Sequence, residues 1–270
     1  MKSPSAIPIP VATPVWQSAP GMTSGHKPAG VDLWLLNLQC TQPPDSLELL
    51  DDDELARAAR FLSNVKKQRF ISAHVQLRRI IGFYLGIPPQ EVSFRHSQNG
   101  KPHVSLKTGA TPIHFNLSHS EDRALLAVSC SNVGVDIEFI RNVPNLPRLG
   151  RLILAESELE CMLSLPQPRQ ARFFCLHWTV REAFVKAHGG GLGSLLGATV
   201  SVVATRGPYV RIATTNTGAD LYARALMPEP GYVGAVAAQA DDWDLRYYAA
   251  SGLLERMATT APATSSALER

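Results

Sequence analysis

Two periods of apolar spacing divide this chain. VDLWLLNL, from Val31 to Leu38, is almost continuously apolar and predicts a strand, and DSLELLDDDELARAARFL after it carries helical spacing with acids crowded near its start. Phe70, Ala73, His74, Leu77, Ile80, Ile81 and Tyr84 then fall on an i, i+3, i+4, i+7 stripe. That stripe predicts a second helix, ending at Gly86 with Pro88 and Pro89 beyond it. Short strand patterns follow in EVSFRH, HVSL, IHFNLS, ALLAVSC and VGVDIEFI. The second half has the same kinds of element, with helical spacing in AESELECML and from Arg169 to about His188, then strands at ATVSVVA, YVRIAT, LYARAL and VGAVAAQ. Residues 1–30 are rich in Pro, Ser, Ala and Gly and predict a flexible leader that at most docks locally, with a similar tail over 255–270. The order of strand, helices and meander in each half predicts an α+β protein of two similar lobes, 31–136 and 137–254.

With 270 residues the chain is long enough to bury a substantial core, and 45% hydrophobic with 18% charged residues is ordinary for a globular protein. A net charge of +3 suits an anionic ligand or an acidic protein partner and is too weak to argue for nucleic acid. Cys40, Cys130, Cys161 and Cys175 show no metal-ligand spacing and read as thiols of a reducing cytoplasm. Prolines break IPIPVATPVW as a signal core, and no run approaches the ~20 apolar residues that span a bilayer, so a cytoplasmic protein without a membrane anchor is expected.

The candidate chemistry begins at GVDIEFIR. In a strand, Asp136 and Glu138 project to one side while Val135, Ile137 and Phe139 project to the other, towards the core. Two carboxylates so placed either form a wet strand face or share a hard divalent cation such as Mg²⁺. In WTVREAFVKAHGGGL, helical spacing keeps Trp178, Glu182 and Lys186 roughly on one face and ends at the Gly189–Gly191 run. Glu182 and Lys186 read either as an ordinary i,i+4 surface pair or, with the strand acids, as a kit for metal-assisted phosphoryl chemistry. NGKPHV sets Lys101 in a tight exposed turn. In FNLSHS, Ser118 and His119 point to opposite faces of a strand, which disfavours proton transfer between them and favours anion binding.

Taken in order, NGKPHV, FNLSHS, GVDIE and WTVREAFVK, with the basic block between Arg57 and Arg79, resemble the signature blocks of the 4′-phosphopantetheinyl transferases of the Sfp type over residues 31–250. The resemblance implies two similar lobes related by a pseudo-twofold axis, with coenzyme A in the cleft between them. It implies that Asp136, Glu138 and Glu182 bind Mg²⁺, with Mn²⁺ an option, and that Glu182 also serves as base for the acceptor serine. Lys186 would contact the phosphates, Gly100, Lys101 and Pro102 would flank the adenine, and Ser118 and His119 would meet the 3′-phosphate region. Arg57 and Arg69 fall where the family places basic or phosphate-contacting groups. Where the family usually has Lys before the helix glutamate, this chain has Arg181, whose forked donors would alter a one-point phosphate contact.

The activity so implied moves the 4′-phosphopantetheine of coenzyme A onto a serine of an apo acyl or peptidyl carrier protein, releasing adenosine 3′,5′-bisphosphate. A single chain supplying both lobes forms the cleft alone, so a monomer is expected. The rival readings are a metal-dependent phosphohydrolase or nucleotidyltransferase using the same acids, and a non-catalytic carrier-binding module.

Overall fold

The computed structural model describes residues 8–19, 22–39, 42–105, 112–189, 201–213, 221–239 and 243–260. After a two-residue strand β1 (Val11–Ala12) comes β2 (Val31–Asn37), the expected apolar strand. Both of its faces are buried: Trp34 and Leu36 pack with the helical residues Ala73, Leu77 and Ile80, while Val31 and Leu33 join a second cluster with Val133, Val135 and Ile137. That double burial explains why the strand reads as a continuous apolar run and not as an alternation.

The first predicted helix is split. A 3₁₀ turn (Pro44–Leu49) ends at Leu50, and α1 (Asp52–Ala59) starts afresh because Asp51 is extended and forms a capping box with Glu54. The predicted stripe is the interior of α2 (Asn64–Leu85), which Ser63 caps and Gly86 terminates at φ 68°. A hairpin of β3 (Phe94–His96) and β4 (Pro102–Val104) leads to β5 (His114–Ser120) and β6 (Arg123–Ser129).

β7 (Val133–Phe139) begins the second half, followed by α3 (Leu146–Ile153), α4 (Glu156–Ser164) and α5 (Gln167–His188). After them come β8 (Ser201–Arg206), β9 (Tyr209–Ala213), β10 (Leu221–Leu226), β11 (Tyr232–Gln239), β12 (Leu245–Ala249) and α6 (Ala250–Thr260). The protein is therefore α+β, with one sheet ordered β12-β2-β6-β5 and another ordered β7-β11-β10-β9-β8, to which β1 adds against β10. α2 packs on the first sheet and α5 on the second.

Three features depart from the expected boundaries. All of β7 pairs with β11, so the chain changes sheet between Ser129 and Val133, and a division at 136/137 would cut a strand. Residues 8–19 and 22–30 are docked: Val11 and Ala12 pair with Ala225 and Leu226, Trp16 donates to the Pro228 carbonyl at 2.8 Å, and Ala19 is fully buried. At the other end β12 returns to pair in parallel with β2, and α6 extends the described chain to Thr260, past the expected end near Leu254. Cys130, Cys161 and Cys175 are free thiols, while Cys40 lies outside the described residues. Among the described residues no helix is long and apolar enough to cross a membrane.

Candidate active site

The two sheets meet where the edge strands β5 and β7 run side by side, tied by side chains in place of a backbone ladder. Asn116 Oδ1 accepts from the Val135 N–H at 2.8 Å, and Ser120 Oγ accepts from the Phe139 N–H at 3.0 Å. Between these anchors Ser118 donates to Asp136 Oδ1 at 2.8 Å, and Ser120 donates to Glu138 Oε2 at 3.0 Å. The period of two places Asn116, Ser118 and Ser120 on one face of β5, so every side chain in this seam is dictated by strand geometry. Asn116 and Ser120 carry no signal in the sequence alone, because only the pairing of the two edges gives them work.

Gly134 shares its face of β7 with Asp136 and Glu138, and there α5 comes down onto the strand. A Cβ at Gly134 would lie 2.1 Å from the Ala183 carbonyl oxygen and 2.3 Å from the Ala187 nitrogen, so only glycine permits this approach. The approach brings Lys186 Nζ to 2.7 Å from Asp136 Oδ1 and 3.1 Å from Ser118 Oγ. Glu182, one turn earlier, is only 6% exposed, and its Oε1 has no hydrogen-bond partner; nor has Asp136 Oδ2.

Burial pushes the Asp136 carboxyl above its ordinary range, against the pull of Lys186 and Ser118. Glu138 is raised by burial and then by the charge of Asp136. Burial likewise lifts Glu182 to about 7, opposed by Lys186 and reinforced by both strand acids. Three acids thus share one negative potential with a single lysine among them. Among the described residues no three His, Cys, Asp or Glu side chains are already gathered around one point as a metal would hold them. The donor set nonetheless suits a hard divalent cation: it consists of oxygens, two of which are buried without a partner, and the acids are destabilised by each other's charge.

Other expected residues fall into separate places. His119 lies on the opposite face of β5 from Ser118; burial, and then the electrostatic influence of His74, Lys186, Arg57 and Arg69, hold its imidazole below the ordinary value. Arg57 lies over the Phe70 ring at 5.3 Å, and Arg69 donates to Asp122 and Glu121 at 2.8 and 2.9 Å. Of the same basic block, Arg78 is consumed by the fold, buried between Glu54 and the Val92 carbonyl. Gly100 is exposed with φ 80°, and Pro102 opens β4.

Three placements differ from the expected ones. Lys101 belongs to an exposed turn, yet its ammonium is turned inward onto the carbonyls of Lys186 and Val133. Arg181 is not available to a phosphate: it is 2% exposed on the far side of α5, where it donates to Glu158 and to the His177 carbonyl. Phe139 does not face the core; at 36% exposure it stacks edge-on with Tyr232 and helps line an apolar cleft of about 350 Å³ with Glu138, Leu149, Leu152, Phe174 and Trp178.

Comparison with known proteins agrees on one family. A family model described as the 4′-phosphopantetheinyl transferase superfamily matches residues 132–237, and one described as 4′-phosphopantetheinyl transferase, N-terminal, matches residues 41–131. The chain is 32% identical over 223 residues to the 4′-phosphopantetheinyl transferase HetI of Nostoc sp., covering 81% of this chain and 91% of that protein. It is 24% identical over 197 residues to the 4′-phosphopantetheinyl transferase Sfp of Bacillus subtilis, covering 73% and 85%. To the L-aminoadipate-semialdehyde dehydrogenase-phosphopantetheinyl transferase of Mus musculus it is 27% identical over 170 residues, covering 59% and 52%.

Proposed function

Because the chain belongs to the 4′-phosphopantetheinyl transferase superfamily, we propose a reading of its cleft in which each residue above has a part in moving phosphopantetheine from coenzyme A to a carrier protein. The observation that carries it is the seam itself, where Ser118, Asp136 and Lys186 form one hydrogen-bonded group beside the partnerless oxygens of Asp136 and Glu182. In this reading the acceptor serine oxygen attacks the phosphorus that bears the pantetheine arm. The bond from that phosphorus to the bridging oxygen breaks, and adenosine 3′,5′-bisphosphate leaves.

Asp136, Glu138 and Glu182 hold Mg²⁺, with Mn²⁺ able to replace it. The cation supplies neutralisation of the pyrophosphate as charge shifts to the leaving nucleotide. Glu182 takes the serine proton, directly or through a water. Lys186 sits between Ser118 and Asp136 and turns its ammonium to the phosphates. Arg57, Arg69, His119 and Ser118 receive the 3′-phosphate, and the backbone of Gly100, Lys101 and Pro102 flanks the adenine.

The two halves are lobes of a pseudo-twofold pair, a view supported by the matched 22-residue helices α2 and α5, each on its own sheet and each ended by a glycine of positive φ. A single chain supplies both walls of the cleft, so the active form is a monomer. The test is incubation with coenzyme A, Mg²⁺ and a panel of apo acyl and peptidyl carriers. A mass gain of one phosphopantetheine on the carrier is expected, and no gain on any of them would refute the activity.

A further inference from the structure

A helix leaves its last four carbonyls without partners. At the end of α5, Gly189 N–H takes the Val185 carbonyl, but the Lys186 carbonyl is taken by a residue from the other half of the chain. The donor is Lys101, whose Nζ lies 2.7 Å from the Lys186 oxygen and 3.0 Å from the Val133 oxygen, the first carbonyl of β7. The hairpin turn holding Lys101 is closed by the bonds of Gly100 N–H to Ser97 O and Ser97 N–H to Lys101 O, each 2.9 Å. From the same turn Asn99 donates to the Gly189 carbonyl at 2.8 Å. One ammonium thus ties together β7, which carries Asp136 and Glu138, and α5, which carries Glu182 and Lys186. Lys186 is gripped twice: its carbonyl by Lys101, and its own ammonium by Asp136 Oδ1, also at 2.7 Å. Among the described residues no carboxylate partners Lys101; its ammonium is half-buried against carbonyl dipoles, and that burial lowers it to about 8.

We propose that Lys101 is a positioning residue, a cross-strut from the β3–β4 turn that sets the spacing of α5 against β7 and so delivers Lys186 to the Ser118–Asp136 pair. Its side chain acts through Lys186, not by touching the nucleotide, while the backbone of its turn remains free to face the base. The inference rests on the transferase reading above.

The decisive experiment is a double-mutant cycle on carrier loading with Lys101→Met, Lys186→Met and the double variant. Lys101→Met keeps the aliphatic stem and removes the donors, and displacement of the α5 end should lower kcat by about tenfold or more with little change in KM for coenzyme A. The double variant should then be slower than Lys186→Met by a clearly smaller factor than Lys101→Met is slower than wild type, because without Lys186 the strut still spaces Glu182 but has lost the ammonium it delivers. Lys101→Arg, whose fork can reach both carbonyls, should recover most of kcat. Losses that multiply in the double variant, or a rise in KM for coenzyme A at unchanged kcat, would overturn the proposal. Should Lys101→Met fail to fold, Lys101→Gln, which shortens the stem and removes the charge, decides by the same cycle with the same two outcomes. Wild-type protein separates the two ideas: no loading by wild type refutes the transferase reading, whereas loading by wild type with multiplicative losses refutes the strut.

Discussion

Gly134→Ala tests whether the close approach of α5 to β7 is what builds the site. The added Cβ would stand 2.1 Å from the Ala183 oxygen and 2.3 Å from the Ala187 nitrogen, where ordinary contact begins at 3.4 Å, so the helix must retreat by about 1.3 Å. Both obstructing atoms are helix backbone, so no side chain can rotate out of the way. Such overpacking costs about 1–3 kcal/mol, or a few degrees in Tm for a protein of this size. The functional cost should be larger. Glu182 and Lys186 ride on the displaced turn, and a misplacement of about 1 Å typically costs on the order of 100-fold in rate. The assay is carrier loading by mass spectrometry, run well below the melting temperature, with circular dichroism to confirm that helix content is retained. A variant that is as stable and as fast as wild type would show that the site does not depend on this contact.

Asp136→Asn and Glu182→Gln should each lower loading by about 100-fold or more while leaving the melting curve near that of wild type, since neither carboxylate is essential to a structural ion pair other than that of Lys186 with Asp136. Removing divalent cations with EDTA should abolish loading, and Mg²⁺ or Mn²⁺ should restore it; loading that persists under chelation would refute the metal assignment. Glu158 is 4% exposed, and its carboxyl is held down to about 2 by the His177 hydrogen bond and the Arg181 charge, against the opposing effect of burial. A depressed carboxylate contributes stability that is present above its unfolded value of 4.5 and lost as pH falls through about 2, so Glu158→Gln should cost roughly 3 kcal/mol in urea unfolding at pH 7. The gap between wild type and variant should close as pH falls from about 4.5 towards 2, and a gap independent of pH would refute this account.

Local geometry is legible in the sequence wherever one element is enough to state it. The period of two sets Asp136 and Glu138 on one face, and that of 3.6 sets Glu182 and Lys186 on another, because backbone dihedrals alone determine those phases. The interior of α2 and its end at Gly86 are readable for the same reason. Arg181 escapes such reading because the phase of a helix says which residues share a face but not which face is buried; α4, with Glu158, decides that. Lys101 escapes it because a turn residue looks solvated until a helix end arrives over it. The docked leader and the return of β12 to β2 are likewise invisible, since edge strands of two and five residues carry almost no periodic signal.

Taken by itself, the sequence determined the residue types of the site and their phase within each strand or helix, because these follow from bonds no more than a few residues long. Only the tertiary structure decided that β5 lies along β7, that Gly134 admits α5, and that one lysine braces the two together. Those contacts join residues from 18 to 85 positions apart, and their geometry is set by the packing of whole sheets, which no local pattern encodes.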